Sequence, residues 1–401
     1  CPHFKIKTKY SLMKHTKNIF LISSLILTIL SAHVGSPASF KVYQPDGTEL
    51  DIRIKGDHLH NWHVYEGWTV TKNSDNWWVF ALGSNDKKLI PSQIKVYPGI
   101  NPSEINSEIK KGVKPKPYEL IDDAPVPNLQ LTRSDTFFVP LILVEFPDAD
   151  AIYEQSQLDS MMNQEGYTHL NYENTGSFRD FYQEISYGQF LPKSDVSEWF
   201  TAPFNHDYYG YNNGYQRVRQ LVRDMVDSLE NSGFDWMKYD NDGDGYVDAL
   251  TLIHQGPGAE EGDQTNIWSH KWSLGNLAVN YDGVTIDSYN MNPEIQNGNI
   301  VAIGVLAHEF GHSLGLPDLY DTDYSSTGAG KLSLMASGSW GTSGNTPWYP
   351  SSMVGWIKNE LGWVNIVEID DDQTNVTVEQ SYSSNIIYRV NHSQVEEEYW
   401  L

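Results

Sequence analysis

Cysteine is nearly absent: Cys1 is the only one among 401 residues. The body of the chain therefore has no intrachain disulfide, no cysteine zinc cluster and no cysteine nucleophile available to it. Stability has to come from packing, or from metals held by histidine and carboxylates. Basic residues are scarce too, with 27 Lys and Arg against 52 Asp and Glu and a formal charge of −25. Lys5, Lys7, Lys9, Lys14 and Lys17 lie in residues 1–33, which hold no acid; beyond that stretch 22 basic residues face 52 acidic ones, a charge of −30. Such acidity disfavours phosphate backbones and anionic membranes as partners, and its plainest role is a solvated surface. A membrane-spanning run is missing as well. The apolar-dominated stretch Ile19–Leu30 is twelve residues long, too few to cross a bilayer. Aromatics, by contrast, are plentiful at 13%, as expected of a folded chain, and the length predicts two or three domains.

The N-terminal pattern reads as a secretory signal. Met13 opens it, Lys14 and Lys17 form its basic start, Ile19–Leu30 is the greasy run, and Ser31, Ala32, Gly35, Ser36 and Ala38 supply small residues. No cysteine follows the run, which argues against a lipoprotein. The reading is an exported protein cleaved between Ala32 and Ala38, with residues 1–12 upstream of a natural start. At the other end Val376 and Val378, then Ile386, Tyr388 and Val390, alternate with polar residues and predict strands. The chain stops at Tyr399-Trp400-Leu401, so residues 366–401 read as the start of an incomplete β-region.

Between the ends, residues 39–100 predict a small, mostly-β domain. Turns fall at Pro45-Asp46-Gly47 and Gly83-Ser84-Asn85-Asp86, and Trp62, Trp68, Trp77 and Trp78 are available for a core. Residues 101–135 read as a linker carrying Pro102, Pro115, Pro117, Pro125 and Pro127, with Arg133 as a processing point. A second domain, 136–365, opens with the apolar run Phe137–Val144, a buried strand in which Pro140 suggests a late start or a sheet edge. Helices are predicted at about 176–187, 215–230, 300–314 and 351–361, and a strand at Val247–Ile253.

The chemistry concentrates in Val305-Leu306-Ala307-His308-Glu309-Phe310-Gly311-His312-Ser313-Leu314-Gly315-Leu316-Pro317-Asp318. Four residues separate His308 from His312, so on a helix both imidazoles lie on one face and can share one metal. Glu309 is rotated off that axis, placed to reach a metal-bound water rather than the metal. Gly315 can end the helix in a left-handed turn, and Pro317 disfavours its continuation. The turned chain can bring Asp318 back as a third ligand, with Asp321 as the rival. Three protein ligands and one open position describe a catalytic zinc site. Chance gives a His-acid-x-x-His about 0.05 times in a chain of this composition, and about 0.004 times with Gly at this spacing.

His308-Glu-x-x-His312-x-x-Gly315-x-x-Asp318 resembles the metzincin zinc signature, with Asp in the usual third-His position. The fuller string His308–Tyr320, followed by Asp321, resembles the immune inhibitor A-like secreted bacterial metallopeptidases. Ser177-Phe178-Arg179-Asp180-Phe181-Tyr182 with Ser186-Tyr187-Gly188, Ile267-Trp268-Ser269-His270 and Glu360-Leu361-Gly362-Trp363 are similar to that family too. Leu334-Met335-Ala336-Ser337-Gly338-Ser339-Trp340 resembles its Met-turn, which implies Met335 as a packing floor under the zinc. The resemblance implies an α+β fold: a metzincin-like catalytic domain, built as a twisted mixed sheet plus an active-site helix, with an N-terminal mostly-β prodomain and a truncated C-terminal β region. It implies a secreted zinc endopeptidase acting on proteins or peptides, with Glu309 as general base. Nucleic acid and stable membrane insertion after signal removal are not expected. An extended substrate is expected to pair with an edge strand, Asp248–Gln255. With no cysteine switch available, Asp57 in Gly56-Asp57-His58 is the prodomain's candidate for blocking the zinc.

A second metal, calcium, is expected at Asp240-Asn241-Asp242-Gly243-Asp244-Gly245-Tyr246-Val247-Asp248, where acids alternate around a glycine and Tyr246 offers its carbonyl. Position twelve is Thr251 rather than Glu, so a complete EF-hand is not expected. His270 reads as a hydrogen-bonded structural residue near the cleft, and His58, His60 and His63 as surface residues. Two rivals are a non-catalytic, calcium-stabilised secreted adhesion or binding protein, disfavoured by the intact Glu309, and another class of zinc hydrolase, disfavoured by Gly315-x-x-Asp318.

Overall fold

Alternation of apolar and polar residues builds the first sheet. The computed structural model describes residues 31–32, 34–85, 88–116, 136–169, 176–213, 215–369, 377–392 and 397–400. The leader Met13–Leu30, the Arg133 processing point and Val376 lie outside the described residues. After a two-residue strand, β1 (Ser31–Ala32), six strands form an antiparallel meander: β2 (Phe40–Tyr43), β3 (Glu49–Gly56), β4 (Asn61–Tyr65), β5 (Trp68–Lys72), β6 (Trp78–Asn85) and β7 (Lys88–Lys95). On β3 every second residue is buried, which puts Leu50, Ile52 and Ile54 on one face. Leu50 and Ile52 join Tyr65, Val70, Trp78 and Phe80 in a small core.

The tryptophans divide. Trp78 enters this core and Trp68 packs on it, whereas Trp62 stands edge-on to Tyr324 of the second domain at 5.5 Å. Residues 101–116, expected as linker, stay on the sheet. A four-residue helix, α1 (Pro102–Ile105), is followed by Ile109 in the core, and Thr69 donates to the Val113 carbonyl at 2.6 Å.

The second region is a mixed sheet clad by helices. Its elements are β8 (Thr136–Glu145), α2 (Gln155–Asn163), α3 (Phe178–Ile185), β9 (Leu191–Thr201), α4 (His206–Tyr209), α5 (Tyr215–Glu230), β10 (Leu250–Pro257), β11 (His270–Ser273), the small hairpin β12 (Val279–Tyr281) and β13 (Val284–Ile286), then β14 (Ser288–Gln296), β15 (Asn299–Ile300), α6 (Ile303–Ser313) and α7 (Gly355–Glu360). Strand order is β1-β11-β14-β10-β8-β9, with β15 also on β14. Strands β9, β8, β10 and β14 pair in parallel, and β11, β1 and β15 run antiparallel to their neighbours.

Strand β8 is buried on both faces, which explains its unbroken apolar run. Phe137, Val139, Leu141 and Leu143 face a core shared with α2, α3 and α6, while Ile142 and Val144 face one shared with α5. Helix α5, predicted at about 215–230, contributes Val218, Leu221, Val222, Met225, Val226 and Leu229 at helical spacing.

Several expectations are corrected. Pro140 marks neither a strand start nor a sheet edge. Strand β8 begins at Thr136 between β9 and β10, and the β10 ladder begins only at Leu141, which leaves the missing N–H at the margin of that pairing. The predicted strand Val247–Ile253 lies three residues further on, because the acidic turn before it extends to Asp248. It is also central rather than an edge. Helix α2 was not foreseen; it is short, stapled by a capping box between Glu154 and Gln157, and buries only Leu158, Met161 and Met162. After α7 comes a three-stranded sheet of β16 (Asn365–Ile369), β17 (Ile386–His392) and β18 (Glu397–Trp400). On β17 it is Ile387 that is buried, while Ile386 is 40% exposed, the opposite face from the one the alternation suggested.

Helix α7 buries a cation. Lys358 is 2% exposed, and its Nζ donates to the Tyr187 hydroxyl at 3.0 Å. Burial holds this amine down to about 8, against the upward pull of Glu184. The native state thus binds fewer protons than the unfolded chain between about pH 8 and 10.5, and this penalty fades as pH rises through that window. Lys358→Met is predicted to stabilise the protein by about 1–3 kcal/mol at pH 7, with the gain shrinking towards pH 10.5. Denaturant melts across that range check it, and a less stable variant at pH 7 refutes it.

Candidate metal centre

Helix α6 is buried along its whole length. Two glycines allow this. A Cβ on Gly304 would collide with the carbonyl oxygens of Ser339 and Pro347, so the helix start rests directly on those backbones, and the Gly304 amide donates to Pro347 at 2.9 Å. On Gly311 a Cβ would meet the Met335 sulfur, so Met335 lies against the helix between the two histidines, fully buried. Gly315 adopts φ +85°, the left-handed turn read in the sequence, and the Leu316 amide returns to the Gly311 carbonyl at 3.1 Å.

The turn brings three ligand atoms together. His308 Nε2 and His312 Nε2 are 3.0 Å apart. Asp318 Oδ1 lies 3.1 Å from the first and 3.3 Å from the second. Tetrahedral zinc with bonds near 2.0–2.1 Å requires ligand atoms about 3.3 Å apart, so the constellation is of the right size. Each imidazole is fixed through its other nitrogen: His308 Nδ1 donates to the Leu334 carbonyl at 2.8 Å and His312 Nδ1 to that of Leu316 at 2.7 Å. This tautomer leaves both Nε2 lone pairs for a cation.

The protonation states agree. Burial drives the His312 imidazole towards its neutral form, opposed by Asp318. Burial also raises Asp318, but His312 and His308 outweigh it and hold the carboxyl well below the usual range. Neutral imidazoles and an ionised carboxylate are the forms that bind metal. Glu309 is fully buried beside them. Asp321 is placed elsewhere: it is half-buried and accepts from the Asp323 and Ser326 amides and the Ser325 hydroxyl, building its own loop.

Sequence reasoning missed the supports. The Leu334 and Leu316 carbonyls carry no side-chain signal. The Tyr182 hydroxyl donates to the Ala307 carbonyl at 2.6 Å, and Asn290 donates to Thr251 and Ser313 at 3.0 and 3.2 Å, anchoring both flanks of α6. An amide pair on β14 and a tyrosine on α3 could be linked to the helix only through the fold.

The histidines of the N-terminal domain are not surface residues. His58 and His60 are buried where the loop after β3 meets the second domain. His58 stacks on His270 at 6.2 Å, and His60 stands edge-on to Tyr324 at 5.7 Å. His63 lies against Phe40 and Trp78, where burial lowers it to about 4. Asp57 Oδ1 accepts from the Leu59 and His60 amides and Oδ2 from the Tyr324 hydroxyl, and burial pushes this carboxyl up to about 6. His270 is buried, with Nδ1 donating to the Trp268 carbonyl at 2.6 Å and Nε2 3.2 Å from the Tyr289 hydroxyl.

On the side of the sheet beside α6 the outermost strand is β1 and the next is β11, rather than the Asp248–Gln255 stretch, with Ala32 opposite His270. In the acidic loop, carboxylates of Asp240, Asp242 and Asp244 converge. Gly243 and Gly245 take φ +78° and +90° there. Asp248 instead accepts from the Asn241 amide at 2.7 Å, and burial pushes it up to about 7 with Asp242 and Asp244 adding to the shift. Tyr246 bridges Thr285, while Thr251 sits in β10 and accepts from Asn290.

The family model of the immune inhibitor A peptidase M6 catalytic domain matches residues 131–364. Immune inhibitor A of Bacillus thuringiensis subsp. alesti is 34% identical over 241 residues, covering 50% of this chain and 34% of that protein. Pre-pro-metalloprotease PrtV of Vibrio cholerae serotype O1 (strain M66-2) is 31% identical over 296 residues, covering 59% and 31%. The chain thus spans about a third of the length of these relatives. Metalloproteinase-II from Bacteroides fragilis aligns over 73% of this chain and 80% of its own at 11% identity, but with a TM-score of 0.24 the likeness carries no weight.

Proposed function

This chain belongs to the immune inhibitor A peptidase M6 family of metallopeptidases, and from that premise we propose a secreted, zinc-dependent endopeptidase made as a latent precursor. The observation that carries it is the convergence of His308, His312 and Asp318, with ligand atoms 3.0, 3.1 and 3.3 Å apart. Those three residues would hold the zinc, leaving one position open. When bound, the ion supplies Lewis acidity, lowering the pKa of a coordinated water to about 7 and polarising the scissile carbonyl.

The chain's own groups do the rest. Glu309 takes the water's proton and hands it to the nitrogen of the leaving amine. The Leu334 and Leu316 carbonyls keep both imidazoles aimed, and Met335 packs beneath them. An extended peptide would add to the β11 edge.

Latency is supported by what now lies there. His58 of the N-terminal domain stacks on His270 of that strand at 6.2 Å, a contact that remains once the leader carrying β1 is removed. Asp57 has both oxygens engaged by Leu59, His60 and Tyr324, so steric occupation rather than Asp57 ligation is the proposed block. The leader pattern from Met13 and the pre-pro form named for one relative support export of a precursor. The aspartates at 240, 242 and 244 are proposed to hold calcium, whose preference for carboxylate oxygens they match.

In the full chain, Glu309→Gln is predicted to retain one zinc per molecule by metal analysis while casein hydrolysis falls about 10²–10⁴-fold. Parent-like turnover excludes Glu309 as the base. Protein cut within residues 117–135 should digest casein faster than the intact precursor, and equal rates exclude latency. N-terminal sequencing of the exported protein should show a start between residues 32 and 39; a retained Met13 argues against leader removal. Calcium should raise the melting temperature of the parent but not of the Asp240→Asn/Asp242→Asn variant, and a rise that persists in the variant places the ion elsewhere.

A further inference from the structure

A line of hydroxyl and carboxylate groups runs from the metal centre into the N-terminal domain. Tyr320 is buried two residues beyond Asp318, with its hydroxyl hydrogen-bonded to the Asp318 carboxylate. Its ring stacks on Tyr324 at 5.8 Å and 21°, and the two hydroxyls are within hydrogen-bonding reach of each other. The Tyr324 hydroxyl donates to Asp57 Oδ2 at 2.8 Å. Asp57 is itself fixed, because the Leu59 and His60 amides hold its other oxygen at 2.7 and 2.8 Å. The residues thus link the proposed metal ligand Asp318 to Asp57, 261 positions earlier in the chain, through side chains alone.

The surroundings hold the line in place. Trp62 and His60 stand edge-on to the Tyr324 ring at 5.5 and 5.7 Å. Lys114 donates to the carbonyls of Asp323 and Tyr324 at 2.7 and 3.0 Å. Tyr324 has φ +56°, a left-handed conformation unusual for a bulky residue, which persists only where packing over-determines it. Both domains supply that packing.

We propose that Tyr320 and Tyr324 are positioning residues for the third metal ligand, through which Asp57 of the N-terminal domain sets the orientation of the Asp318 carboxylate and the firmness with which the metal is held. A ligating carboxylate is free to rotate about its own axis, and a donor on it fixes that angle; outer partners of this kind change metal affinity by about 10–100-fold. Tyr320 is that donor. Tyr324, with its own proton committed to Asp57, keeps the Tyr320 ring from turning away. Docking of the N-terminal domain therefore tightens the centre as well as covering it. The inference rests on the zinc reading above.

Cobalt in place of zinc in the full chain reports the site through its visible absorption bands, and transfer to a chelator gives the release rate. Tyr320→Phe is predicted to shift the bands and speed release about tenfold. Tyr324→Phe should shift them in the same direction to a smaller extent, and the double variant should add little to Tyr320→Phe. Lys114→Ala removes backbone anchors of the same loop while sparing the hydroxyls, and should change the bands clearly less than Tyr324→Phe does. Parent-like bands and release in both folded tyrosine variants, or a Lys114→Ala change as large as that of Tyr324→Phe, overturns the proposal. Failure of the parent chain to take up cobalt overturns instead the metal centre on which it rests.

Discussion

A buried carboxylate closing on two imidazoles whose Nδ1 atoms are tied to backbone carbonyls is the constraint on which this molecule turns. Burial penalises the Asp318 charge, and the two imidazoles at 3.1 and 3.3 Å outweigh that penalty. A divalent cation between the three atoms would add to the partners that meet that charge. The spacing and the chemistry of the three side chains both suit a metal.

Much of the second domain keeps those three atoms in register. An aromatic cluster seats α6: Phe310 meets Phe178, Tyr182 and Phe190 at 5.1, 5.1 and 6.2 Å. Rings packed edge to face leave little room for the helix to slide. Gly304 lets the helix start touch backbone, and Gly311 lets Met335 in beneath the ligands. On the sheet side, Asn290 links Thr251 to Ser313. The N-terminal sheet leans on the same place, with Trp62, His60 and Asp57 gathered around Tyr324.

What could be read in advance followed from periodicity. The four-residue spacing of His308 and His312, the turn at Gly315 and the helix α5 are local, and each emerged where the pattern placed it. Asp318 is favoured over Asp321 in the sequence by its match to the resembled family's spacing, and the fold puts it beside the two histidines while Asp321 builds its own loop. Long-range properties were less legible. Whether a strand is central or at an edge depends on which strands join it, so β10 was misread as an edge strand and Pro140 as a strand start or sheet edge. Burial of His58 and His60 depends on a second domain closing over them, and nothing in their immediate neighbours announces it.

The account is therefore one of a rigid metal cradle on which two domains converge. Diffraction from crystals of the full chain grown with zinc, recorded on either side of the zinc absorption edge, tests it most directly. The account predicts an anomalous peak about 2.0–2.2 Å from His308 Nε2, His312 Nε2 and a carboxylate oxygen of Asp318. Zinc bound by other residues, with those three side chains turned apart, would contradict it.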